Sequence, residues 1–280
     1  MPRRRQTDRS GSTIIMTRLL GTRASFTTLA TGDAPQQRDC AAVLTRNIYF
    51  GHQSVGASIV VGAAEHCAAA GVSLCVTDTT RVGDLTQAAL VHERLGNNGD
   101  PYSKIDAFAA RVDGDVGRWA HIALFKLCYV DVGARTDTAA VFDYYARTMA
   151  RLRQRHPRLI LAHVTMPVTR VPPRWQLQLK AALRRDTPGI ADNIARSAYN
   201  EHMRRRYFGH EPVFDLAALE SGGVPGMPVW QRHARGRYTA LRPDLTDDGG
   251  HLSVAGRRLV ATEFLQFLAS CAQQCDAAAA

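Results

Sequence analysis

Residue types that together perform nucleophilic catalysis occur at two distant places in the chain. Ser54 lies in the segment Gly-His-Gln-Ser-Val-Gly, residues 51–56, and Asp248 precedes His251 by three residues. A serine hydroxyl is a weak nucleophile until a base takes its proton, and an imidazole does this best when a carboxylate fixes its tautomer. Two glycines separate Asp248 from His251, so both side chains can face one cleft. The pattern predicts a catalytic triad of Ser54, His251 and Asp248.

Each part of this pattern also has a simpler structural interpretation. Serine is a common N-cap, so Ser54 can serve only to begin a helix. Asp247 or Asp248 can form a turn or cap the last helix, with His251 incidental. What favours catalysis is that both motifs fall at the ends of predicted elements of one sheet.

Those elements follow from the alternation of short apolar runs with segments of helical period after residue 43. Predicted strands cover residues 47–50, 72–76, 121–125, 159–164 and 213–216, and predicted helices cover residues 55–70, 104–111, 137–155, 190–207 and 254–272. The sequence therefore predicts an α/β fold, a three-layer α/β/α sandwich around a five-stranded parallel, flavodoxin-like sheet. Such sheets place their sites in loops at the carboxyl ends of the strands, where Ser54 falls.

A serine in a glycine-flanked turn after the first strand, with Asp-x-x-His-Leu before the final helix, resembles the SGNH/GDSL hydrolase superfamily over roughly residues 43–272. The resemblance is to a bacterial branch whose first block reads Gly-His-Gln-Ser-Val-Gly. It implies that Ser54 is acylated, that His251 is the base and that Asp248 orients the imidazole. It also implies a serine esterase or deacylase that hydrolyses an acyl ester, on a carbohydrate or a small polar molecule, without cofactor or metal.

The same resemblance implies an oxyanion hole of three donors: the serine N–H, a glycine N–H from a second block and an asparagine side chain from a third. The second block is residues 95–101, where Gly96, Asn97 and Asn98 are the candidates. The third block should read Gly-x-Asn-Asp, but the strand runs into Lys126-Leu127-Cys128-Tyr129-Val130-Asp131, which has no asparagine. A missing donor typically costs about a hundredfold to a thousandfold in rate.

Lys126, Asn97 or Asn98 are candidates to replace the missing donor, and His52 is a candidate substrate contact. Each has a structural alternative. Lys126 can pair with Asp131 or Asp100, the asparagines can form a turn, and His52 can hold the nucleophile turn by a hydrogen bond.

Because the third block lacks the asparagine of the family pattern, a second function also stays open. A non-catalytic or repurposed SGNH-fold protein that binds a carbohydrate or other polar ligand would also fit the sequence. An acyltransferase would use the same triad as an esterase, so hydrolysis and acyl transfer are not distinguished.

The composition narrows the classes of partner. The net charge is +10, but the arginines are scattered without interleaved aromatic residues, so no specific nucleic-acid binding is expected. Six cysteines include no CxxC pair, so no metal site is predicted. Arg196, Asn200 and Arg204 recur at helical spacing and are expected on a solvated or salt-bridged face.

Residues 1–40 are predicted to be a basic, flexible N-terminal segment, and residues 41–276 the hydrolase-like domain. Arg18 and Arg23 interrupt the weakly apolar run in this segment, which makes it at best a degenerate export signal. A cytoplasmic and an exported location therefore both stay open. No stretch approaches the roughly 20 apolar residues of a membrane span, so the protein is expected to be soluble or loosely peripheral.

Overall fold

The computed structural model describes residues 34–78, 81–173, 176 and 189–279. The predicted N-terminal segment lies outside the described residues up to residue 33, and helix α1, Ala34–Leu44, crosses its expected boundary at residue 40. Residues 177–188, which precede the predicted helix of residues 190–207, also lie outside the described residues.

The centre of the fold is a parallel sheet with helices on both faces. Its strands are β1 Ile48–His52, β2 Val76–Thr77, β3 Leu90–Arg94, β4 Ile122–Phe125, β5 Ile160–Val164 and β6 Val213–Phe214. They lie in the order β2-β3-β1-β4-β5-β6, and each neighbouring pair is parallel. The predicted α/β/α architecture is confirmed, but the sheet has six strands. Strand β3 separates β2 from β1, which a flavodoxin-like order would place side by side.

Strand β3 falls between the predicted strand of residues 72–76 and the predicted helix of residues 104–111, where no strand was predicted. Its second half is polar, yet those side chains have partners on neighbouring elements. Glu93 accepts hydrogen bonds from the Tyr49 hydroxyl and from Arg111 Nε, the latter at 2.7 Å. His92 Nδ1 lies 3.0 Å from Nε2 of His52 on β1. The polar side chains of β3 are thus paired with side chains on β1 and α3. Strand β3 therefore lacks the apolar pattern by which a buried strand is usually recognised.

The remaining helices are α2 Ser54–Ala69, α3 Pro101–Arg111, α4 Gly117–Trp119, α5 Thr138–Arg155, α6 Ile190–Tyr207, α7 Leu216–Ser221 and α8 Val254–Ala279. Short helical turns cover Val82–Asp84, Val112–Val116 and Pro243–Leu245, and an antiparallel hairpin joins β7 Gln231–His233 to β8 Gly236–Tyr238. The helices predicted from periodicity agree with the structure within a few residues at their starts. Helix α7 and the hairpin were not predicted, because both elements are short.

Local capping explains where two of the predicted helices begin. The Asp100 carboxylate accepts hydrogen bonds from the backbone N–H groups of Tyr102 and Ser103, and Pro101 occupies the first helical position of α3. Asp137 caps α5 in the same way. Both caps satisfy N–H groups that have no partner within their own helix.

Two hydrophobic layers enclose the sheet. On one face Tyr49, Val91 and Phe125 pack in a buried cluster with residues of α3, α5 and α6. On the other face Phe50 and Leu124 pack with residues of α1, α2 and α8. Successive residues of each strand therefore point to opposite layers, as a sheet covered on both sides requires. Helix α8, which follows the Asp-His motif, packs extensively on α2, which follows Ser54.

The face of α6 that was expected to be solvated or salt-bridged is buried, which corrects the solvated alternative, and Arg204 on it forms an ion pair. Arg196, Asn200 and Arg204 are at most 7% exposed. Asn200 accepts a hydrogen bond from the Met166 N–H and donates one to the Met166 carbonyl, at 2.7 and 2.8 Å. Arg204 forms a two-bond ion pair with the buried Asp215. Asn200 and Arg204 thus provide hydrogen-bond partners for buried polar groups just beyond β5 and β6. The polar face of α6 therefore packs toward the interior.

Within the described ranges, no helix combines the length and the apolar character that crossing a membrane would require.

Candidate active site

The turn between β1 and α2 presents Ser54 to solvent. Gln53 is the N-cap residue of α2 with an extended backbone, so Ser54 is the first helical residue and not the cap. A Cβ on Gly51 would lie 2.0 Å from Leu95 Cδ1, and one on Gly56 would lie 2.3 Å from His52 Cβ. The flanking glycines are therefore required by the close packing of this turn.

The Asp-His motif forms a loop that is ordered by its own aspartate. Asp248 Oδ1 accepts the backbone N–H groups of Gly250 and His251 at 2.9 and 2.8 Å. The other carboxylate oxygen lies 2.6 Å from His251 Nδ1. Together these backbone and side-chain hydrogen bonds hold the pKa of Asp248 well below its usual range. Asp248 is therefore an ionised acceptor that fixes the orientation of the imidazole.

The structure brings the three predicted residues together. His251 Nε2 lies 3.0 Å from Ser54 Oγ, although the two residues are 197 positions apart in the chain. Because ionised Asp248 can only accept a hydrogen bond, Nδ1 carries the imidazole proton, and the hydrogen-bond network assigns the Nε2 lone pair to the serine hydroxyl. This is the arrangement that increases the nucleophilicity of a serine.

The second-block loop lies beside Ser54. Gln53 Nε2 donates hydrogen bonds to the carbonyls of Leu95 and Gly96 at 2.8 and 3.2 Å. Gly96 has φ +54°, and a Cβ there would lie 2.7 Å from the backbone nitrogen of Lys104. Among the described residues no acceptor takes the N–H of Ser54 or of Gly96. Both N–H groups therefore remain available to a ligand.

Asn97 and Asn98 are exposed in this loop and have structural partners. The Asn97 N–H donates to Ser103 Oγ at 2.9 Å, and its carbonyl accepts the Asp100 N–H. Asn98 Oδ1 accepts a hydrogen bond from Lys104 Nζ at 2.9 Å. These contacts are those of a turn, as the structural alternative expected.

Removing the Gln53 amide tests how strongly it holds the loop. Gln53→Ala leaves the carbonyls of Leu95 and Gly96 without this donor, and we expect the free energy of unfolding to fall by about 1–3 kcal/mol. Urea unfolding followed by circular dichroism measures the change. The control is Gln274→Ala, which removes an exposed amide from α8 and should stay within about 0.5 kcal/mol of the parent. Equal effects of the two substitutions would contradict an anchoring role for Gln53.

His52 and Lys126, both predicted to contact substrate, are buried instead. His52 is 2% exposed, and its ring nitrogens lie within hydrogen-bond distance of the Gln53 carbonyl and of His92. Burial lowers the pKa of His52 to about 3, so the ring is neutral. Lys126 is 1% exposed, and its amine approaches the Leu127 carbonyl at 3.4 Å. Neither buried side chain is accessible to a substrate, which corrects the prediction of a substrate or oxyanion contact; for His52, the hydrogen bond to Gln53 is the structural alternative that the sequence also offered.

The ion pair considered for Lys126 and Asp131 is formed by another lysine. Lys104 Nζ lies 2.7 Å from both carboxylate oxygens of Asp131, and both side chains are buried. Asp131 also accepts the N–H groups of Gly99 and Cys128 at 2.9 and 2.6 Å. Asp131 thus joins the loop after β3 to the loop after β4, which holds the second and third blocks in a fixed relation.

Tyr129 lies against the imidazole and was not singled out from the sequence. Its ring meets the His251 ring edge-on at a centroid distance of 5.9 Å. A Cβ on Gly250 would lie 2.9 Å from the Tyr129 hydroxyl. Arg196 Nε donates to the Tyr129 carbonyl at 2.7 Å, and its guanidinium lies 5.8 Å from the Tyr129 ring centre. The only sequence signal was the position of Tyr129 in the third block.

In the part of the chain that the structure describes, no group of three or more His, Cys, Asp or Glu side chains is placed to hold a metal ion.

Comparisons with known proteins find similarity at the level of structure. No family model matches the chain, and no curated protein matches it in sequence. A lipase/acylhydrolase from Enterococcus faecalis is 16% identical with a TM-score of 0.46, over 80% of this chain and 96% of that one. An acetyl esterase with acetate ion is 14% identical, with a TM-score of 0.44 over 81% and 97% of the two chains. The periplasmic domain of a Salmonella ser. Paratyphi A lipopolysaccharide acetyltransferase is 16% identical, with a TM-score of 0.42 over 78% and 81%.

Proposed function

We propose that the protein is a serine hydrolase of carboxylic esters, an esterase or deacylase that uses Ser54 as nucleophile. The observation that carries the proposal is the unbroken hydrogen-bonded series from Asp248 through His251 to Ser54, with distances of 2.6 and 3.0 Å. The resemblance to SGNH/GDSL hydrolases implies the same three roles. An acyl ester of a carbohydrate or another small polar molecule is the proposed substrate class.

In the first step Ser54 Oγ attacks the acyl carbonyl while His251 Nε2 takes the hydroxyl proton. The imidazolium is stabilised by ionised Asp248, and it then protonates the departing alcohol as the C–O bond breaks. In the second step His251 removes a proton from water, whose oxygen attacks the acyl carbon. The imidazolium then returns this proton to Ser54 Oγ as its bond to the acyl carbon breaks and the carboxylic acid leaves. An acceptor alcohol in place of water would make the reaction an acyl transfer with the same three residues.

Negative charge on the acyl oxygen needs hydrogen-bond donors. The N–H groups of Ser54 and Gly96 are the proposed donors, because neither has an acceptor within the described part of the chain. The positive end of the α2 dipole, at whose first residue Ser54 stands, acts in the same direction. The asparagine side chain of the related third block is missing here, and neither buried Lys126 nor turn-forming Asn98 replaces it.

A fluorophosphonate probe tests the proposal directly. Ser54 Oγ attacks phosphorus, the P–O bond forms, fluoride leaves and the proton passes to His251, so labelling requires an activated serine. We expect the folded protein to be labelled, and the Ser54→Ala variant and heat-unfolded protein to be unlabelled. A folded protein that resists the probe would instead favour the alternative of a non-catalytic protein that binds a carbohydrate or other polar ligand.

A further inference from the structure

A cluster of exposed apolar side chains lies on the loop that follows α7. Val224, Met227 and Val229 are 57%, 72% and 48% exposed. Phe208 is 41% exposed and belongs to the same cluster. Its ring packs against the backbone of Gly226, where an added Cβ atom would lie only 2.6 Å from the ring. We call Phe208, Val224, Met227 and Val229 the apolar tip. Exposed apolar clusters of this kind mark interaction surfaces more often than isolated apolar residues do.

The loop that carries the apolar tip is held by specific hydrogen bonds. The Met227 N–H donates to the Val224 carbonyl at 2.8 Å and closes a tight turn. The N–H of Gly226 donates to the buried Asp215 at 2.9 Å, and the N–H of Val229 to Ser221 Oγ at 3.0 Å. The apolar side chains are therefore presented outward by a well-anchored backbone.

The surroundings of the apolar tip are strongly basic. Residues 221–242 contain four arginines, at positions 232, 235, 237 and 242, and no Asp or Glu. Arg237 is paired with Glu201 and Arg242 with Asp244, so the excess positive charge comes from the other arginines of this surface. Arg232 is exposed, and Arg237 lies 4.2 Å from the ring centre of Trp230, which directly follows Val229. Arg205 and Arg206 are exposed just before Phe208. Apolar side chains and a tryptophan ringed by arginines are the combination that binds a membrane interface.

This surface is connected to the Asp-His loop. Gln231 and Arg232 line a cavity of about 720 Å³ whose wall also includes Val171 and Pro172. These two residues follow Arg170, whose N–H donates to the Gly249 carbonyl at 2.8 Å, between Asp248 and His251. The segment that lines this cavity is therefore hydrogen-bonded, through Arg170, to the Asp-His loop.

We propose that the apolar tip and the arginines around it dock the protein on the surface of an anionic lipid bilayer. Valine, methionine and phenylalanine side chains would enter the interface, while the arginines would bind the lipid headgroups. The exposed Arg205, Arg206 and Arg232 favour an anionic lipid surface, because its headgroups attract arginine side chains beside apolar residues that enter the interface. Membrane docking does not require catalysis, so it can be tested independently of the proposed hydrolase function.

Vesicle sedimentation with the full chain tests this proposal. We expect the Ser54→Ala protein, used to exclude turnover, to sediment with vesicles of equal parts phosphatidylcholine and phosphatidylglycerol and not with phosphatidylcholine alone. Added salt should release it, because the headgroup attraction is screened. Met227→Ser should weaken the affinity about tenfold, and Arg232→Gln about fivefold.

Two exposed positions outside this surface provide matched controls. Val61→Ser on α2 and Arg258→Gln on α8 change an exposed apolar side chain and an exposed arginine, and both should leave vesicle affinity unchanged. Absence of binding to the anionic vesicles would overturn the proposal, as would equal losses from control and test variants. If the protein does not bind vesicles but sediments as a dimer that Met227→Ser disrupts, a second copy of the chain covers this surface instead, which would overturn the proposal.

Discussion

Ser54→Ala should reduce kcat for a simple chromogenic ester by about a million-fold, to the level that binding and backbone donors alone supply. The Ser54 hydroxyl is the only group that His251 Nε2 contacts at 3.0 Å within the described residues, and its loss leaves no oxygen to be acylated. Steady-state hydrolysis of p-nitrophenyl acetate measures the change. Circular dichroism should be unaltered, because Ser54 is exposed and does not cap its helix.

Ser58→Ala is the matched control for this loss. Ser58 lies one turn further along α2, and its hydroxyl reaches only the Ser54 carbonyl, at 3.5 Å. This variant should retain the parent rate within about twofold, since the hydrogen bond is long. Equal rates for the Ser54→Ala variant and the parent would remove Ser54 as nucleophile.

Asp248→Asn should lower kcat by about ten-thousandfold with the fold retained. An asparagine oxygen can still accept the N–H groups of Gly250 and His251, so the loop keeps its shape. The neutral amide neither stabilises an imidazolium nor reliably selects the Nδ1–H tautomer. The single-turnover rate with an activated ester separates this loss from any change in product release.

Asp247→Asn removes an equally exposed carboxylate one position earlier and should leave the rate almost unchanged. A larger loss from Asp247→Asn than from Asp248→Asn would reassign the orienting carboxylate. The pKa of Asp248 lies well below its usual range, so this carboxylate stays ionised from weakly acidic to basic pH. Protonation of Asp248 therefore makes no contribution to the pH dependence of the rate in that range.

The features best predicted from the sequence are those encoded locally. Helix α6 has the predicted ends, and α3 and α5 begin next to the capping residues Asp100 and Asp137. Ser54, Asp248 and His251 are 197 residues apart at most, yet two short motifs sufficed to single them out. The structure places them within hydrogen-bond distance because α2 and α8, the helices that follow the motifs, pack together.

The features missed from the sequence depend on partners far away in the chain. Strand β3 is polar in its second half because Glu93 pairs with Tyr49 and Arg111, which no local pattern reveals. Arg196 was expected on a solvated or salt-bridged face, but it is buried and donates to the Tyr129 and Val132 carbonyls and to the side chains of Thr169 and Asn193. A polar residue with partners in other loops cannot be distinguished from a surface residue by periodicity alone.

The separation of Ser54 from His251 has a consequence for the protein's biogenesis. A ribosome adding about 5–20 residues per second completes the 197 residues between them in roughly 10–40 s. During that interval the turn that carries Ser54 has been synthesised, but His251 has not. With the proposed triad, the nascent chain therefore carries an unactivated hydroxyl during that interval, and activation of Ser54 requires that helix α8 has been synthesised and has docked on α2.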